Sequence, residues 1–80
     1  MEWLDEIKKG AWSNSVTIMQ TLLWSLGYSI QPDGVFGNQT DATVRQFQGR
    51  HDLKVDGMVG PKTWNALASD GPRAGEFDRG

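Results

Sequence analysis

Two short stretches of the sequence place a carboxylate where it could bind a metal ion. Asp33-Gly34 and Asp56-Gly57 resemble pieces of a calcium loop, which needs about six to eight oxygen ligands and usually a bidentate acid. Neither stretch supplies that many oxygens. Each pair is better explained as a turn, because Asp bonds to nearby backbone and Gly accepts a positive φ. We therefore predict no metal site and no cofactor.

The pair His51-Asp52 is the other candidate for chemistry, since a histidine beside a carboxylate can act as a base. The chain has no Cys and only one His, which disfavours a thiol nucleophile and a histidine-based zinc site. No Ser stands between glycines as in a nucleophile elbow. We therefore interpret His51-Asp52 as part of a loop and predict that the chain is not an enzyme.

The composition limits the class of partner. Eighty residues with a net charge of −2 and 38% hydrophobic residues correspond to one small domain. Residues 14–69 carry balanced charges: Asp33, Asp41, Asp52 and Asp56 against Arg45, Arg50, Lys54 and Lys62. Such a surface lacks the positive footprint of nucleic-acid binding. No run of about 18 apolar residues is present, so no membrane span is predicted.

Apolar periodicity predicts an all-α fold, a small bundle of three helices. The first helix should run over residues 15–26, with Ser13 or Asn14 as its cap and Gly27 as its stop. Its buried face is expected to comprise Val16, Met19, Leu22, Leu23 and Leu26. The flanks of this face carry Ile18 and Trp24, which need cover from elsewhere.

The second helix is predicted over residues 38–50, with Ala42, Val44 and Phe47 buried. The third helix is predicted over 61–69, because Pro61 suits a first helical position.

Both helix starts belong to one unit that occurs twice. Residues 33–40, DGVFGNQT, align with residues 56–63, DGMVGPKT, at an offset of 23. Each copy reads as a turn, an inward apolar residue, a glycine cap and a helix whose threonine reinforces the start. A repeat of this size must pack its two copies together to bury a common core.

An ordered series of residues resembles the peptidoglycan-binding domain of the three-helix type, over about residues 14–68. The series comprises Val16, Met19, Gln20, Leu23, Gly27, Tyr28, Asp33, Gly34, Phe36, Gly37, Thr40, Val44, Phe47, Gln48, Leu53, Asp56, Gly57, Val59, Gly60, Pro61, Thr63, Trp64 and Leu67. Met19 and Thr43 depart from the usual Leu and Ala.

The resemblance implies a non-catalytic module, of bacterial or phage type, that binds the bacterial cell wall and anchors a hydrolase or assembly there. Most motif residues are expected to be structural: Asp33, Gly34, Phe36, Gly37, Thr40, Phe47, Asp56, Gly57, Val59, Gly60, Pro61, Thr63, Trp64 and Leu67. Peptidoglycan, a carbohydrate cross-linked by muropeptides, needs neutral hydrogen-bonding groups over an apolar floor. The predicted contacts are Tyr28, Asn38, Gln39, Arg45 and Gln48.

The two ends lie outside this resemblance. Residues 1–13 contain Trp3, Leu4 and Ile7 at helical spacing, which predicts a short amphipathic helix before the domain at 14–69. Residues 70–80 predict a flexible tail. The N-terminal segment either packs on the first helix, or Trp3 and Trp24 form an apolar surface that docks onto protein. The second alternative makes the fold an assembly module.

The expected site of action is the cell wall, extracellular or periplasmic. The acidic N-terminus lacks a signal-peptide pattern, so export by another route, cytoplasmic production or phage-borne delivery is expected.

Overall fold

A computed structural model describes residues 6–70, with Asp70 described by its backbone alone. Three helices follow one another: α1 (Asn14–Ser25), α2 (Asn38–Arg50) and α3 (Pro61–Asp70). The predicted all-α architecture is confirmed, and each helix begins or ends within one residue of its predicted bounds. The predictions for Trp3, Leu4 and residues 71–80 lie outside the described residues.

The ends of α1 show how the sequence defines a helix. Ser13 is the N-cap, and its hydroxyl accepts a hydrogen bond from the Val16 N–H. After the helix, Gly27 has φ +101°, and Tyr28 N–H donates to the Leu23 carbonyl at 3.1 Å. This is a Schellman closure, which Gly permits because it lacks a Cβ. It fixes where Tyr28 leaves the helix.

The core lies between the three helices and the two turns, and α1 packs against α3. Its fully buried side chains include five motif residues that were predicted to be structural, namely Phe36, Phe47, Val59, Trp64 and Leu67. On the predicted face of α1, Val16, Met19 and Leu23 are buried, whereas Leu22 and Leu26 are partly buried. One prediction is wrong, because Ala42 is exposed and the neighbouring Thr43 is buried instead. Thr43 tolerates burial because its hydroxyl donates to the Gln39 carbonyl at 2.8 Å.

The N-terminal segment is not helical over residues 6–13, which corrects the predicted helix in that range. Ile7 exchanges two backbone hydrogen bonds with Val59, and Ala11 and Gly10 bond to Phe36 in the same way. Phe36 and Val59 occupy the same place in the two repeats. The segment therefore ties both turns together, with the Ile7 side chain buried in the core.

This course leaves the flanks of α1 uncovered by the described part of the segment. Trp24 is 60% exposed and Ile18 is 43% exposed. Of the residues expected to pack on α1, Ile7 is buried in the core and Trp12 is exposed, so the expectation stays a prediction for Trp3 and Leu4. Within residues 6–70, no helix is long and apolar enough to cross a membrane.

Candidate functional site

A buried glutamine on α1 holds the first turn. Gln20 is fully buried, and its Nε2 donates to Asp33 Oδ1, to the Val35 carbonyl and to Thr40 Oγ1 at 3.0–3.1 Å. Its Oε1 accepts from the Gly34 N–H at 2.8 Å. One side-chain amide thus forms hydrogen bonds with the turn, with the residue that follows it and with the start of α2.

Gln48 on α2 performs the same task for the second turn. Its Nε2 donates to Asp56 Oδ1, the Met58 carbonyl and Thr63 Oγ1 at 2.9–3.2 Å. Its Oε1 accepts from Asp56 N–H and Gly57 N–H. Gln48 is 1% exposed, and the turn uses its whole amide group, so the structure argues against the predicted ligand contact.

These contacts also explain the turn carboxylates. Asp33 Oδ1 accepts from the Val35 N–H at 3.0 Å, and Asp56 Oδ1 from the Met58 N–H at 2.9 Å. Those backbone bonds, aided by the glutamine amides, hold the pKa of each aspartate below its ordinary value of 3.8. In Asp56 they outweigh the opposing effect of desolvation. The turn interpretation of both Asp-Gly pairs is therefore supported.

The two motif threonines reinforce the helix starts and also connect neighbouring helices. Thr40 and Thr63 are buried, and each hydroxyl accepts a hydrogen bond from a glutamine of the preceding helix. The Thr40 hydroxyl also donates to the Val35 carbonyl at 3.3 Å, just before the Gly37 cap of its own helix. The signal for the two glutamines was present as apolar-x-x-apolar-Gln in Val16–Gln20 and Val44–Gln48.

Two adjoining depressions, which share Ile30, Gln31 and Gln39, lie between the loop after α1 and the start of α2, and we call them together the first groove. It is lined by Trp24, Tyr28, Ser29, Ile30, Gln31, Asp33, Val35, Gly37, Asn38, Gln39 and Thr40. Its accessible polar groups are mostly neutral amides and backbone, and Gln39 Nε2 donates to the Ser29 carbonyl at 2.9 Å. Three predicted contacts, Tyr28, Asn38 and Gln39, meet here.

The aromatic groups of the first groove differ in availability. Tyr28 is half-buried, packs edge-on against Phe47, and has the Arg50 guanidinium 5.9 Å from its ring centre. Trp24 lines the same groove and is largely exposed, so it offers the freer face for stacking on a sugar. From the sequence alone, Trp24 was expected only as part of a docking surface. Its exposure beside neutral amides identifies it as a candidate contact.

Arg45 lies apart from the first groove. Its Nε is 3.1 Å from Asp41 Oδ2, one turn earlier on α2, and a terminal nitrogen donates to the Asp56 carbonyl at 3.3 Å. Arg45 therefore contacts the second turn and supports it from outside. Its side chain remains half-exposed, but it does not share a surface with Asn38 and Gln39.

Trp12 extends the first groove on its far side. It is 79% exposed and forms a short antiparallel bridge with Val35, which lines the groove. A shallow depression contains both residues together with Asp33. Exposed tryptophans thus lie at either end of a polar surface, near the two ends of α1.

His51 does not form a catalytic arrangement with Asp52. The His51 ring stacks on Phe47 with ring centres 4.1 Å apart, and its Nδ1 lies 3.1 Å from the Phe47 carbonyl. Asp52 follows the C-cap of α2 and lies in the left-handed region with φ +60°, where Asp is tolerated better than most residues. Among residues 6–70, no group of three or more His, Asp or Glu side chains is placed to hold a metal ion.

Comparisons with known proteins agree with this architecture. Residues 13–67 match the family model described as "Putative peptidoglycan binding domain". The chain is 36% identical over 70 residues to N-acetylmuramoyl-L-alanine amidase CwlL of Bacillus licheniformis, covering 84% of the chain and 19% of that enzyme. It is 40% identical over 57 residues to the spore cortex-lytic enzyme of Halalkalibacterium halodurans, covering 70% of the chain and 17% of the enzyme.

A solved structure of a separate domain has the same fold. The SleB N-terminal domain superposes with a TM-score of 0.78 at 38% identity, covering 81% of this chain and 90% of that one. The chain thus spans about a fifth of the curated enzymes that it matches and nearly all of a domain of its own size.

Proposed function

The chain belongs to the family of peptidoglycan-binding domains, and we propose that it holds peptidoglycan in the first groove. The observation that supports this proposal is the chemistry of the groove. Asn38, Gln39 and Gln31 present neutral amides, and Trp24 stands exposed at its edge. Sugar hydroxyls match neutral donors and acceptors, while an aromatic face matches the apolar face of a sugar ring.

We expect the affinity to be modest. The groove is shallow, and few of its groups would be fully desolvated by a ligand, whereas strong binding energy comes from such buried anchors. A module of this kind serves best when joined to, or assembled with, a protein that acts on the wall. We therefore propose a cell-wall hydrolase or larger assembly as the partner, and the wall, outside the cytoplasmic membrane, as the place of action.

Sedimentation with purified insoluble sacculi tests the groove. Trp24→Ala and Gln39→Ala should each weaken binding by about twofold to tenfold, the amount expected from losing a stacking contact or a polar contact. The matched control is Ile18→Ala, which removes another exposed apolar residue of α1 that does not line the groove. Equal binding by Trp24→Ala, Gln39→Ala and the parent chain would reject this groove.

We also propose that the chain has no hydrolytic activity of its own. The support is the neutral character of the groove and the structural use of His51, Asp33 and Asp56. Incubation of the pure chain with a wall suspension should leave its turbidity unchanged. Clearing of the suspension would refute this part of the proposal and leave the binding assay unaffected.

Protein docking is a second candidate function, favoured by the exposure of Trp24 and Ile18 on one helix. It predicts that both substitutions, Trp24→Ala and Ile18→Ala, reduce association of the chain in sedimentation velocity. Wall binding predicts that only the first substitution has an effect, and only on sacculus binding. The failure of the chain to bind walls of several chemotypes would favour docking.

A further inference from the structure

The sequence repeat produces a second groove that corresponds to the first residue by residue. Around the second turn, a groove is lined by Leu53, Lys54, Asp56, Met58, Gly60, Pro61, Lys62 and Thr63. Each of these lies 23 positions after a residue that lines the first groove: Ile30, Gln31, Asp33, Val35, Gly37, Asn38, Gln39 and Thr40. Glu6, Gln48 and Asp52 complete the lining. We call this surface the second groove.

The two grooves share their framework and differ in their variable positions. Asp, Gly and Thr are the same in both, because they build the turn and bond to the buried glutamine. Gln31 and Gln39 of the first groove correspond to Lys54 and Lys62 of the second. The second groove therefore has the framework of the first and carries two lysines where the first carries two glutamines.

The second groove carries both signs of charge over an apolar floor. Lys54 and Lys62 contribute ammonium groups, Glu6, Asp52 and Asp56 contribute carboxylates, and Leu53 and Met58 contribute apolar surface. Among residues 6–70, Glu6, Asp52, Lys54 and Lys62 form no ion pair within 4.0 Å, although the Lys54 charge favours the ionised form of the nearby Asp56 carboxylate. A ligand with carboxylate and ammonium groups of its own would complement this pattern, whereas an uncharged sugar would leave it unused.

We propose that the second groove binds a short charged peptide, the stem peptide of peptidoglycan, while the first groove binds the glycan. This proposal rests on the assignment of the chain to peptidoglycan. Stem peptides carry free carboxylates and an amine-bearing residue, whereas the glycan backbone offers mainly hydroxyls and amides. One small domain would then recognise both components of the wall with two copies of one structural unit.

Backbone amide shifts in nuclear magnetic resonance, recorded with two probes, test the proposal. The first probe is the synthetic peptide N-acetyl-L-Ala-γ-D-Glu-L-Lys, and the second is peptide-free glycan strands. The peptide should shift resonances of residues 53–63, and the strands those of residues 28–40. Raising the salt concentration should weaken the peptide interaction alone, because exposed charges are screened.

Charge-removing variants give the decisive comparison. Lys54→Gln with Lys62→Gln should weaken peptide binding by about threefold to tenfold, the range for exposed ion pairs. These changes give the second groove the same amides that the first groove has and leave the first groove untouched, so glycan binding should not fall. The control is Lys9→Gln, another exposed lysine, which lines neither groove and should bind like the parent.

The outcomes separate this proposal from the proposed function. If the strands bind the first groove and the peptide does not bind, or the double variant binds the peptide within twofold of the parent, the second groove is refuted and the wall assignment stands. If the peptide binds the second groove and the strands bind nowhere, the first-groove assignment fails and the proposal for the second groove is supported. Peptide shifts confined to residues 28–40 would also overturn it.

Discussion

Replacement of Gln48 by Ala should destabilise the domain strongly. The substitution removes the acceptor for the Gly57 N–H, a buried bond of 3.0 Å, while Asp56 N–H keeps its bond to the Lys54 carbonyl. A buried donor without a partner costs about 1–3 kcal/mol. The lost bonds to Asp56, Met58 and Thr63, together with the space vacated in the core, raise the total to about 3–5 kcal/mol.

This cost is large on the scale of the whole domain. Small domains have unfolding free energies of about 5–15 kcal/mol, and a loss of 1 kcal/mol lowers Tm by about 4–8 °C at this size. Gln48→Ala should therefore melt at least about 12 °C below the parent. Gln48→Met should fall in between, because it keeps most of the volume and loses only the polar bonds.

Urea unfolding followed by circular dichroism measures the change, and Gln46→Ala is the matched control. Gln46 lies on the same helix but is exposed, so its removal should change the free energy of unfolding by less than about 0.5 kcal/mol. If Gln48→Ala melts within two degrees of the parent, the structural role assigned to this amide is wrong. The expected loss of stability differs from the sequence-based expectation, in which Gln48 contributes to wall binding.

Three further predictions concern neighbouring parts of the same framework. Gly57→Ala should cost about 1–2 kcal/mol in urea unfolding, because φ is +77° and the crowding atom, an Asp41 carboxylate oxygen 2.6 Å from the added Cβ, ends a side chain that can move. Gly27→Ala, at φ +101° with open space around it, should cost about the same; a much larger cost at Gly57 would show that the Asp41 side chain cannot move. Because the pKa values of Asp33 and Asp56 are lowered in the folded state, both residues contribute stability above pH 3.8, and this stability is lost as the pH falls through their folded-state pKa values. The double variant Asp33→Asn with Asp56→Asn should lose less stability in acid, as measured by Tm against pH. An unchanged pH profile would contradict this prediction. Trp64→Ala, which truncates a side chain that is 1% exposed, should cost about 3–5 kcal/mol, and a Tm within two degrees of the parent would show that this position is not part of the core.

The helices were predictable because they depend on local signals. Apolar spacing, the Gly27 stop and Pro61 at a helix start act within a few residues, and the structure confirms them. The N-terminal segment was mispredicted since Ile7 has helical spacing with Trp3 and Leu4, yet its partner is Val59, more than 50 positions away. Periodicity carries no information about such a distant partner.

The candidate site could also be predicted only in part. Tyr28, Asn38 and Gln39 flank one loop in sequence, so their proximity could be inferred, and the structure places them on one groove. The burial of Gln48 was not predicted, because a polar residue on a mostly polar helix resembles a surface residue. Its burial depends on the Asp56–Thr63 unit, which surrounds it with donors and acceptors that no helical pattern of α2 alone reveals.

The backbone pairing of residues 7–11 has a mechanical consequence. In chain order, Ile7 and then Gly10 and Ala11 are bonded to the two turns before the chain enters α1. A force that pulls on residue 6 therefore reaches Val59 first and Phe36 second, and these residues stand next to the two grooves. Traction from that side would load the parts of the module nearest to its candidate ligand surfaces before it loaded any helix.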